Sequence, residues 1–332
     1  MVTLIRICAL LVALALTASA ASEENVNRQV DAVPGGKLVV DVDFGTIDVT
    51  AGADDKVAVE AHRKIDFSDE AKEKEYFSGA PIAINKEGNT VTVRAHSSKR
   101  ESFWNFGRSR TEGHYTLRVP RNSAADLRTA GGGIATSELR GEVKAKTSGG
   151  KLKFEHVEGP VVGETNGGSI EVRACNGAIE IETSGGEIAT EDSKGSLHAR
   201  TSGGGIHVRN FSGDTEVKTS GGELTLDRIA GKLTGKTSGG SISASVVGSV
   251  MGDVTLETSA GSIDLVLPAN AAVDIAAETS AGRITSNLPL LLGKPDHEHL
   301  HGKLNGGGKT VLLRTSAGSI TIDAGSPETA AL

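Results

Sequence analysis

The stretch KTSGGELTLDRIAGKLTGKTSGGSISA, residues 218–244, contains the phrase KTSGG twice, starting at Lys218 and again at Lys236. The Thr of this phrase recurs at the same spacing at Thr129, Thr147, Thr165, Thr183, Thr201, Thr219 and Thr237. Three further copies follow with wider steps, at Thr258, Thr279 and Thr315. A second column of glycines keeps the same spacing in the first six units, at Gly141, Gly159, Gly177, Gly195, Gly213 and Gly231. Two columns in phase over many units indicate a solenoid repeat.

Apolar and polar residues alternate within each unit, which is the periodicity of a β-strand. The residue five positions after the Thr is always aliphatic, as in Leu152, Ile170 and Ile188. The pattern predicts an all-β fold, a single-stranded parallel β-solenoid (β-helix) with 18-residue coils, each with two short strands and glycine at the corners. In the alternating pattern the Thr falls on the inward side of its strand, so we expect its hydroxyl to bond the hydroxyl of the equivalent Thr in the neighbouring coil. Inward positions at offsets 5, 7, 10, 14 and 16 do not fit the alternative, a hexapeptide solenoid.

The position eight places after the Thr is charged in five successive units. The charges alternate in sign along the series Glu155, Arg173, Glu191, Arg209 and Asp227. On stacked coils these side chains would pair with their neighbours, and a slip of one coil would place like charges together.

The chain divides into four parts by composition and pattern. Residues 1–20 predict a signal peptide, and residues 31–128 predict irregular N-terminal coils and a cap with a helix at 67–78 and a polar loop. Residues 129–323 hold the regular repeats, and residues 324–332 predict a frayed tail. Strands are expected at 81–85, 90–95 and 115–119. The segment 288–308 is expected to cap the far end, and Thr315–Asp323 is expected to form the last coil.

The first twenty residues combine an early Arg6, an apolar run and the small residues Ala18 and Ala20, which is typical of a secretory leader cleaved after Ala20. We therefore expect export to the periplasm or cell surface, with no transmembrane segment after cleavage. The net charge of the full chain is −7, which argues against nucleic acid as a partner. Cys175 is the only cysteine outside the leader and lies in an apolar column, so it is interpreted as a buried side chain.

The insertion HSSKRESFWNFGRSRTEGH, His96–His114, is the best candidate for a contact surface. Aromatic residues are 3% of the chain, yet this segment holds several of them beside arginines. The predicted contact residues are Phe103, Trp104, Phe106, Arg108 and Arg110. The alternative is that the aromatic residues pack against the first coil as part of the cap.

No catalytic, cofactor-binding or metal-binding residues are predicted. The segment HEHLH, with His297, His299 and His301, is the most metal-like stretch, but no fourth ligand is identifiable and a solvated loop is the preferred interpretation. Whether it binds metal stays open. Acidic residues are mixed with Lys and Arg on every face, so the carboxylate cluster of a polysaccharide lyase is not recognisable.

Several phrases resemble the bacterial adhesin-like repeat family, also called toastrack domains. They are PGGKLVVDVDFGTIDV, YTLRVPRNSAADLRT, DLVLPANAAVDIAAETSAGRI and HGKLNGGGKTVLLRTSAGSITI, in a resemblance that covers about residues 31–323. The resemblance implies a β-solenoid of the cell envelope or exterior and brings no catalytic residues.

The favoured hypothesis is an exported, non-enzymatic β-solenoid that acts as an adhesin-like binding or scaffold module of the envelope. Its partner would be an envelope polysaccharide or protein. One alternative is a carbohydrate-active enzyme on a β-helix, similar to a polysaccharide lyase. Another is a structural or signalling-associated protein that assembles through the ends of its solenoid.

Overall fold

The computed structural model describes residues 22–66, 70–96, 110–248, 252–292 and 296–325. Within these ranges the chain is almost entirely β-structure, with one short helix. All described strands belong to one continuous sheet that winds around the main apolar core. The predicted all-β parallel solenoid is confirmed.

The regular coils each contribute one strand to each of two faces. Along the chain the strands of this part are β8 Ala124–Thr129, β9 Ile134–Ser137, β10 Val143–Lys146, β11 Leu152–Glu155, β12 Val161–Thr165, β13 Ile170–Arg173, β14 Asn176–Thr183, β15 Ile188–Arg200, β16 Ile206–Lys218, β17 Leu224–Ala230, β18 Leu233–Lys236 and β19 Ile242–Val246. The longer strands β15 and β16 run through a corner and serve both faces, since each pairs with its neighbours over two separate stretches.

The register of the parallel ladders equals the repeat of the sequence. Leu152 pairs with Ile134 on one side and with Ile170 on the other, so each partner occupies the equivalent position of the adjacent repeat. Equivalent apolar side chains therefore stack on one another, and the column is buried along its length. Since a slip of one residue would turn every inward side chain outward, the apolar pattern fixes the register.

The repeated Thr is buried, as predicted, but its hydroxyl partner is different from the one expected. Thr183 Oγ1 donates to the carbonyl of Gly168 in the preceding coil at 2.9 Å and accepts from the N–H of Gly186 at 3.2 Å. The same bond to a glycine carbonyl recurs in the other coils of the series, for example from Thr165 to Gly150 at 3.0 Å. The expected hydroxyl-to-hydroxyl ladder is wrong because each Thr hydroxyl donates to a part-buried backbone carbonyl of the neighbouring coil instead.

The second glycine of the phrase is required by close approach between coils. A Cβ on Gly150 would lie 1.8 Å from the carbonyl oxygen of Gly132, whereas a Cβ on Gly149 would meet open space. Only one of the two glycines is therefore demanded by packing. The phrase TSGG recurs because each copy must supply a hydroxyl and a bare Cα at the same corner.

Both strand faces meet at a second corner, where one residue of each coil adopts a left-handed conformation. The positions are Glu138, His156, Ala174, Asp192, Asn210 and Arg228, with φ between 51° and 62°. Residues other than Gly and Asn incur a steric cost there. The repeat tolerates this cost because the backbone on either side is held in its ladder.

The N-terminal end changes from parallel to antiparallel strands. Its elements are β1 Ser22–Asp31, β2 Lys37–Val42, β3 Thr46–Ala51, β4 Lys56–Asp66, α1 Glu70–Gly79, β5 Ala83–Glu87, β6 Thr90–Ala95 and β7 Arg110–Val119. Strands β2 and β3 form the first coil in the chain, but β2 lies between β6 and β8, and β3 lies between β7 and β9. Beyond them, β5 pairs antiparallel with β6, while β4 and then β1 extend the sheet antiparallel from β7.

The C-terminal end is built in the same nested way. Its strands are β20 Val254–Ala260, β21 Ile263–Pro268, β22 Val273–Ala281, β23 Ile284–Ser286, β24 Leu291–Leu292, β25 His299–Leu304, β26 Lys309–Ala317 and β27 Ile320–Gly325. Strand β26 lies between β20 and β22, and β27 lies between β21 and β23. The segment Thr315–Asp323 forms the last coil along the chain, as expected, but it is not the outermost coil in space. The coil of β22 and β23 lies outside it and is covered by the antiparallel strand β25.

The expected capping helix is confirmed at Glu70–Gly79, and the two predicted strands after it form the antiparallel pair β5 and β6. The strand that follows the polar insertion begins at Arg110, ahead of the expected start at Tyr115. Residues 110–114 pair antiparallel with β4, so they belong to the sheet and not to a loop. Their mixed polar sequence gives no strand signal, because one face of this strand is solvated.

Candidate functional site

The predicted contact residues fall largely outside the described ranges. Phe103, Trp104, Phe106 and Arg108 lie in the undescribed segment 97–109, and of Arg110 only the backbone is described, opposite Asp66 at the start of β7. These residues stay a prediction. What the structure does show is the surface from which the segment leaves and to which it returns, at His96 and Arg110.

His96 is clasped between two carboxylates of strand β2 and the turn after it. Its Nδ1 lies 2.6 Å from Asp43 Oδ1, and its Nε2 lies 2.8 Å from Asp41 Oδ1. Burial works against a charged imidazolium, but the hydrogen bonds to Asp43 and Asp41 outweigh it and raise the pKa of His96 above its usual value. The three side chains form a polar clasp at the edge of the cap.

An aromatic cluster lies next to this clasp. The Phe44 and Tyr76 rings are 6.1 Å apart, and the Tyr76 and Phe77 rings are 6.2 Å apart. Tyr76 donates its hydroxyl to Asp43 Oδ2 at 3.3 Å. Burial, and then the charge of Asp43, raises the pKa of Tyr76, so this phenol stays protonated at neutral pH. Aromatic rings with polar handles are typical of contact surfaces as well as of small cores.

The cap is anchored by a fully buried arginine. The Arg63 side chain is 0% exposed, donates from Nε to Glu24 at 2.9 Å and from Nη2 to the Ala80 carbonyl at 2.8 Å, and lies 5.3 Å from the centre of the Phe77 ring. This one side chain joins β1, β4 and the end of α1. It thereby fixes the elements against which the aromatic cluster packs.

A buried carboxylate fixes the start of β1 against the helix. Glu73 is 1% exposed and accepts from the Ser22 N–H at 3.1 Å and from the Ser22 hydroxyl at 2.6 Å. The sequence gives no signal for either anchor, since Arg63 and Glu73 stand among ordinary charged residues and only the fold brings them inside.

The lateral faces of the solenoid carry the alternating charges that were predicted. Glu191 accepts from Arg173 at 3.0 Å and also pairs with Arg209. The pKa of Glu155 is lowered, mainly by the hydrogen bond that it accepts from Lys153 on the same strand. A shallow depression of ≈ 240 Å³ runs over this face beside Lys153, Glu171 and Arg173. The face is a regular, charged and rigid surface.

The remaining chemical candidates behave as structural residues. His299 and His301 lie on β25, opposite Glu278 and Ala276 of β22, and His297 lies in the turn before it. HEHLH is therefore partly a capping strand, and the expectation of a loop holds only for its first residues. Cys175 is buried, and burial raises the pKa of its thiol, which disfavours the reactive thiolate.

The described ranges contain no group of three or more His, Cys, Asp or Glu side chains placed to hold a metal ion. In the same ranges, no helix is long and apolar enough to cross a membrane. The geometry thus defines a parallel β-solenoid repeat protein with charged lateral faces and capped ends.

The chain belongs to the Toastrack DUF4097 family, whose model matches residues 36–323. The adhesin-like resemblance found in the repeats is thereby confirmed. None of the curated proteins matches this chain.

Several solved structures are similar to this chain. A candidate cell adhesion protein from Clostridium sporogenes ATCC 15579 is 14% identical, with 91% of this chain and 100% of that chain covered and a TM-score of 0.22. A candidate adhesin from Bacteroides fragilis NCTC 9343 is 12% identical, with 91% and 98% covered and a TM-score of 0.34. A candidate lipid binding protein from Parabacteroides distasonis ATCC 8503 is 13% identical, with 91% and 97% covered and a TM-score of 0.38. Family membership and the charged, capped solenoid together define the architecture of the chain.

Proposed function

We propose that the protein is exported and serves as an adhesin-like binding or scaffold module of the cell envelope. The observation that carries this proposal is the closure of the stack. At the N-terminal end the parallel ladders of both faces give way to antiparallel strands, at β4, β1 and β5, and at the C-terminal end one face does so at β25. A second solenoid cannot simply continue a parallel ladder there, so a discrete module is favoured over end-to-end assembly.

The contact surface in this proposal is the cap around the Asp41–His96–Asp43 clasp and the segment 97–109 that starts beside it. In the described part of this surface the rings of Tyr76 and Phe77 are half-buried, and the sequence of the segment 97–109 adds Phe103, Trp104 and Phe106. Aromatic residues and arginines are enriched in binding surfaces because they bury much area with few rotatable bonds. An envelope polysaccharide fits such a surface, since sugar rings stack on aromatic faces while hydroxyls bond carboxylates.

The binding test uses the single Trp104 as a reporter. Purified envelope polysaccharide is titrated into the protein while Trp104 emission is followed, and a saturable shift is expected. The variant Arg108→Ala should weaken binding at least tenfold with an unchanged melting temperature. The matched control, Arg173→Ala on the lateral face, should bind normally. Equal loss in both variants would place the contact on the lateral faces, and no binding at all would overturn the module proposal.

Export is tested by the N-terminus of the secreted protein. Expression in a bacterial host followed by fractionation should place the protein outside the cytoplasm, and mass spectrometry should find a chain that starts at Ala21. An intact Met1 on cytoplasmic protein would contradict export and leave the binding test standing.

The polysaccharide lyase alternative gains no support from the described residues, because a calcium-dependent lyase needs clustered carboxylates and none of the required kind is present there. A screen of the same polysaccharides for new reducing ends, with and without calcium, separates the two functions. Product formation would favour the enzyme.

A further inference from the structure

Two histidines lie side by side on the solvated face of the N-terminal cap. His62 of β4 and His114 of β7 are directly opposite each other in an antiparallel pair. Residues in this relation have Cβ atoms about 4.5–5.5 Å apart, which is close enough for two imidazoles to share one ion. Neither residue belongs to the clasp or to the repeats.

Each ring is oriented by a neighbour on the adjoining strand. His62 Nδ1 lies 2.7 Å from Asn25 Oδ1, and His114 Nδ1 lies 2.8 Å from Thr46 Oγ1. An amide oxygen can only accept, so in this geometry the proton of a neutral His62 is on Nδ1 and the lone pair is on Nε2. The Thr46 hydroxyl points towards the Gly113 carbonyl at 3.5 Å, which leaves its oxygen free to accept from His114 in the same way.

This is the arrangement that metal-binding histidines show. A ligating imidazole usually donates its other N–H to an oxygen, which fixes the tautomer and the direction of the lone pair. Here both rings of a neighbouring pair are fixed in that way by separate partners. The two bonded pairs span four neighbouring strands, β1, β4, β7 and β3.

The pair lines a groove with a volume of ≈ 410 Å³. Asn25, Glu60 and Thr116 also line it, and Glu60 adds negative charge two residues along β4 on the same side. On the next row, Lys64 is engaged by Glu23 at 3.0 Å, so its ammonium is held away from the pair. The surroundings favour a cation over an anion.

We propose that His62 and His114 bind one divalent transition-metal ion, such as Zn²⁺, Ni²⁺ or Cu²⁺, through their Nε2 atoms, with water in the remaining coordination positions. Imidazole nitrogen suits these ions, and a site with two protein nitrogens follows the affinity order in which Cu²⁺ binds most tightly. Protons compete with the metal for the same lone pairs, so binding weakens as the pH falls.

The test is a Zn²⁺ titration by calorimetry on the whole protein, prepared without a polyhistidine tag. We expect one ion per chain, and His62→Gln or His114→Gln should each lower the affinity at least tenfold. The matched control is His299→Gln on the opposite cap, which should bind like the parent protein. Loss of orientation is tested by Asn25→Leu and Thr46→Val, which should weaken binding about tenfold because they leave both ligands in place but release their rings.

A measurement without substitutions guards against variants that fail to fold. Cu²⁺ bound to the parent protein should show an electron paramagnetic resonance spectrum with nitrogen couplings from two imidazoles. Coupling to fewer than two nitrogens would overturn the proposal. The proposal would also be overturned if His299→Gln lowered the affinity for the metal and His62→Gln did not.

Discussion

The regular coils and the N-terminal cap are stabilised in different ways. In the coils the same interactions recur once per repeat, as with the bond from the buried Thr to a glycine carbonyl. In the cap each interaction occurs once, as with Arg63 between β1, β4 and α1. The coils therefore share stability among equivalent neighbours, while the cap depends on single residues. Local changes should spread along the stack in the first region and stay confined in the second.

The largest effect is expected from a methyl group placed between two coils. Gly150→Ala would bring its Cβ to 1.8 Å from the Gly132 carbonyl oxygen, so the two coils must separate. We expect a loss of more than about 3 kcal/mol in the free energy of unfolding, measured by chemical denaturation. Gly149→Ala, one residue away and in open space, is the control and should change it by less than about 0.5 kcal/mol. Equal effects would show that the close approach is not what selects glycine.

The cap should respond most to the loss of its buried cation. Arg63→Met leaves the Ala80 carbonyl and the Glu24 carboxylate without their donor, and we expect a cost of about 2–3 kcal/mol. Hydrogen exchange should rise in β1, β4 and α1 and stay unchanged in the coils. The neighbouring exposed pair of Lys64 and Glu23 offers the control, since Lys64→Met should leave exchange unaltered. Faster exchange throughout the coils would mean that cap and coils unfold together.

An effect of intermediate size on stability is expected when the Thr hydroxyl at the repeated corner is removed. Thr183→Val keeps the shape of the side chain but leaves the Gly168 carbonyl and the Gly186 N–H without this partner. The expected cost is about 1–2 kcal/mol by thermal or chemical unfolding. Thr183→Ser keeps the hydroxyl and should recover most of that loss. A valine variant as stable as the parent would assign the recurrence of Thr along the repeat to packing alone.

A gain in stability is expected at the second corner. Ala174 has a φ of 52°, a conformation that glycine adopts without strain, so Ala174→Gly should stabilise the protein by roughly 0.5–1 kcal/mol. Ala189 lies on an ordinary strand, β15, and Ala189→Gly should destabilise it by a similar amount. The same substitution should therefore change the free energy of unfolding in opposite directions at the two positions. A change in the same direction at both would contradict the strain argument.

The smallest effect is a pH dependence of the cap. The pKa of His96 is raised in the folded protein, so its pairing with Asp43 and Asp41 contributes fully below the unfolded pKa of about 6.5 and is lost as pH rises through the folded value. The contribution is modest because the imidazole is partly exposed. Melting temperatures between pH 5 and pH 9, roughly, should fall less steeply in His96→Gln than in the parent protein. Parallel curves would show that the clasp does not titrate in this range.

The repeat made the coils predictable because period, strand alternation and glycine corners all carry the same information. Register, inward Thr and alternating charges could be read from columns of residues such as Ile134, Leu152 and Ile170. The hydrogen-bond partner of the repeated Thr could not be predicted in this way. The alternating pattern shows on which side of the strand a side chain lies, but not which backbone carbonyl is found there. The glycine carbonyl becomes visible only when two corners are stacked.

The caps and their candidate site were less predictable for a related reason. Nothing in the sequence around Arg63, Glu73 or His62 distinguishes a buried or paired side chain from a solvated one. Their roles arise from pairing between β1, β4 and β7, segments that have no repeat to align them. The order of the end coils was missed because a repeat gives spacing along the chain, and the nesting of β26 between β20 and β22 reverses that order in space.

The nested order of the end strands also affects how the protein is unfolded by force. A force applied on the C-terminal side of β27 reaches β27 and β26 before the other strands, and each of these two strands is bonded to a neighbour on both sides. Such a strand cannot be unzipped from a free edge one bond at a time and has to be sheared from two partners together. Extraction from that side therefore begins with strands that are held by two neighbours, before any of the regular coils is reached.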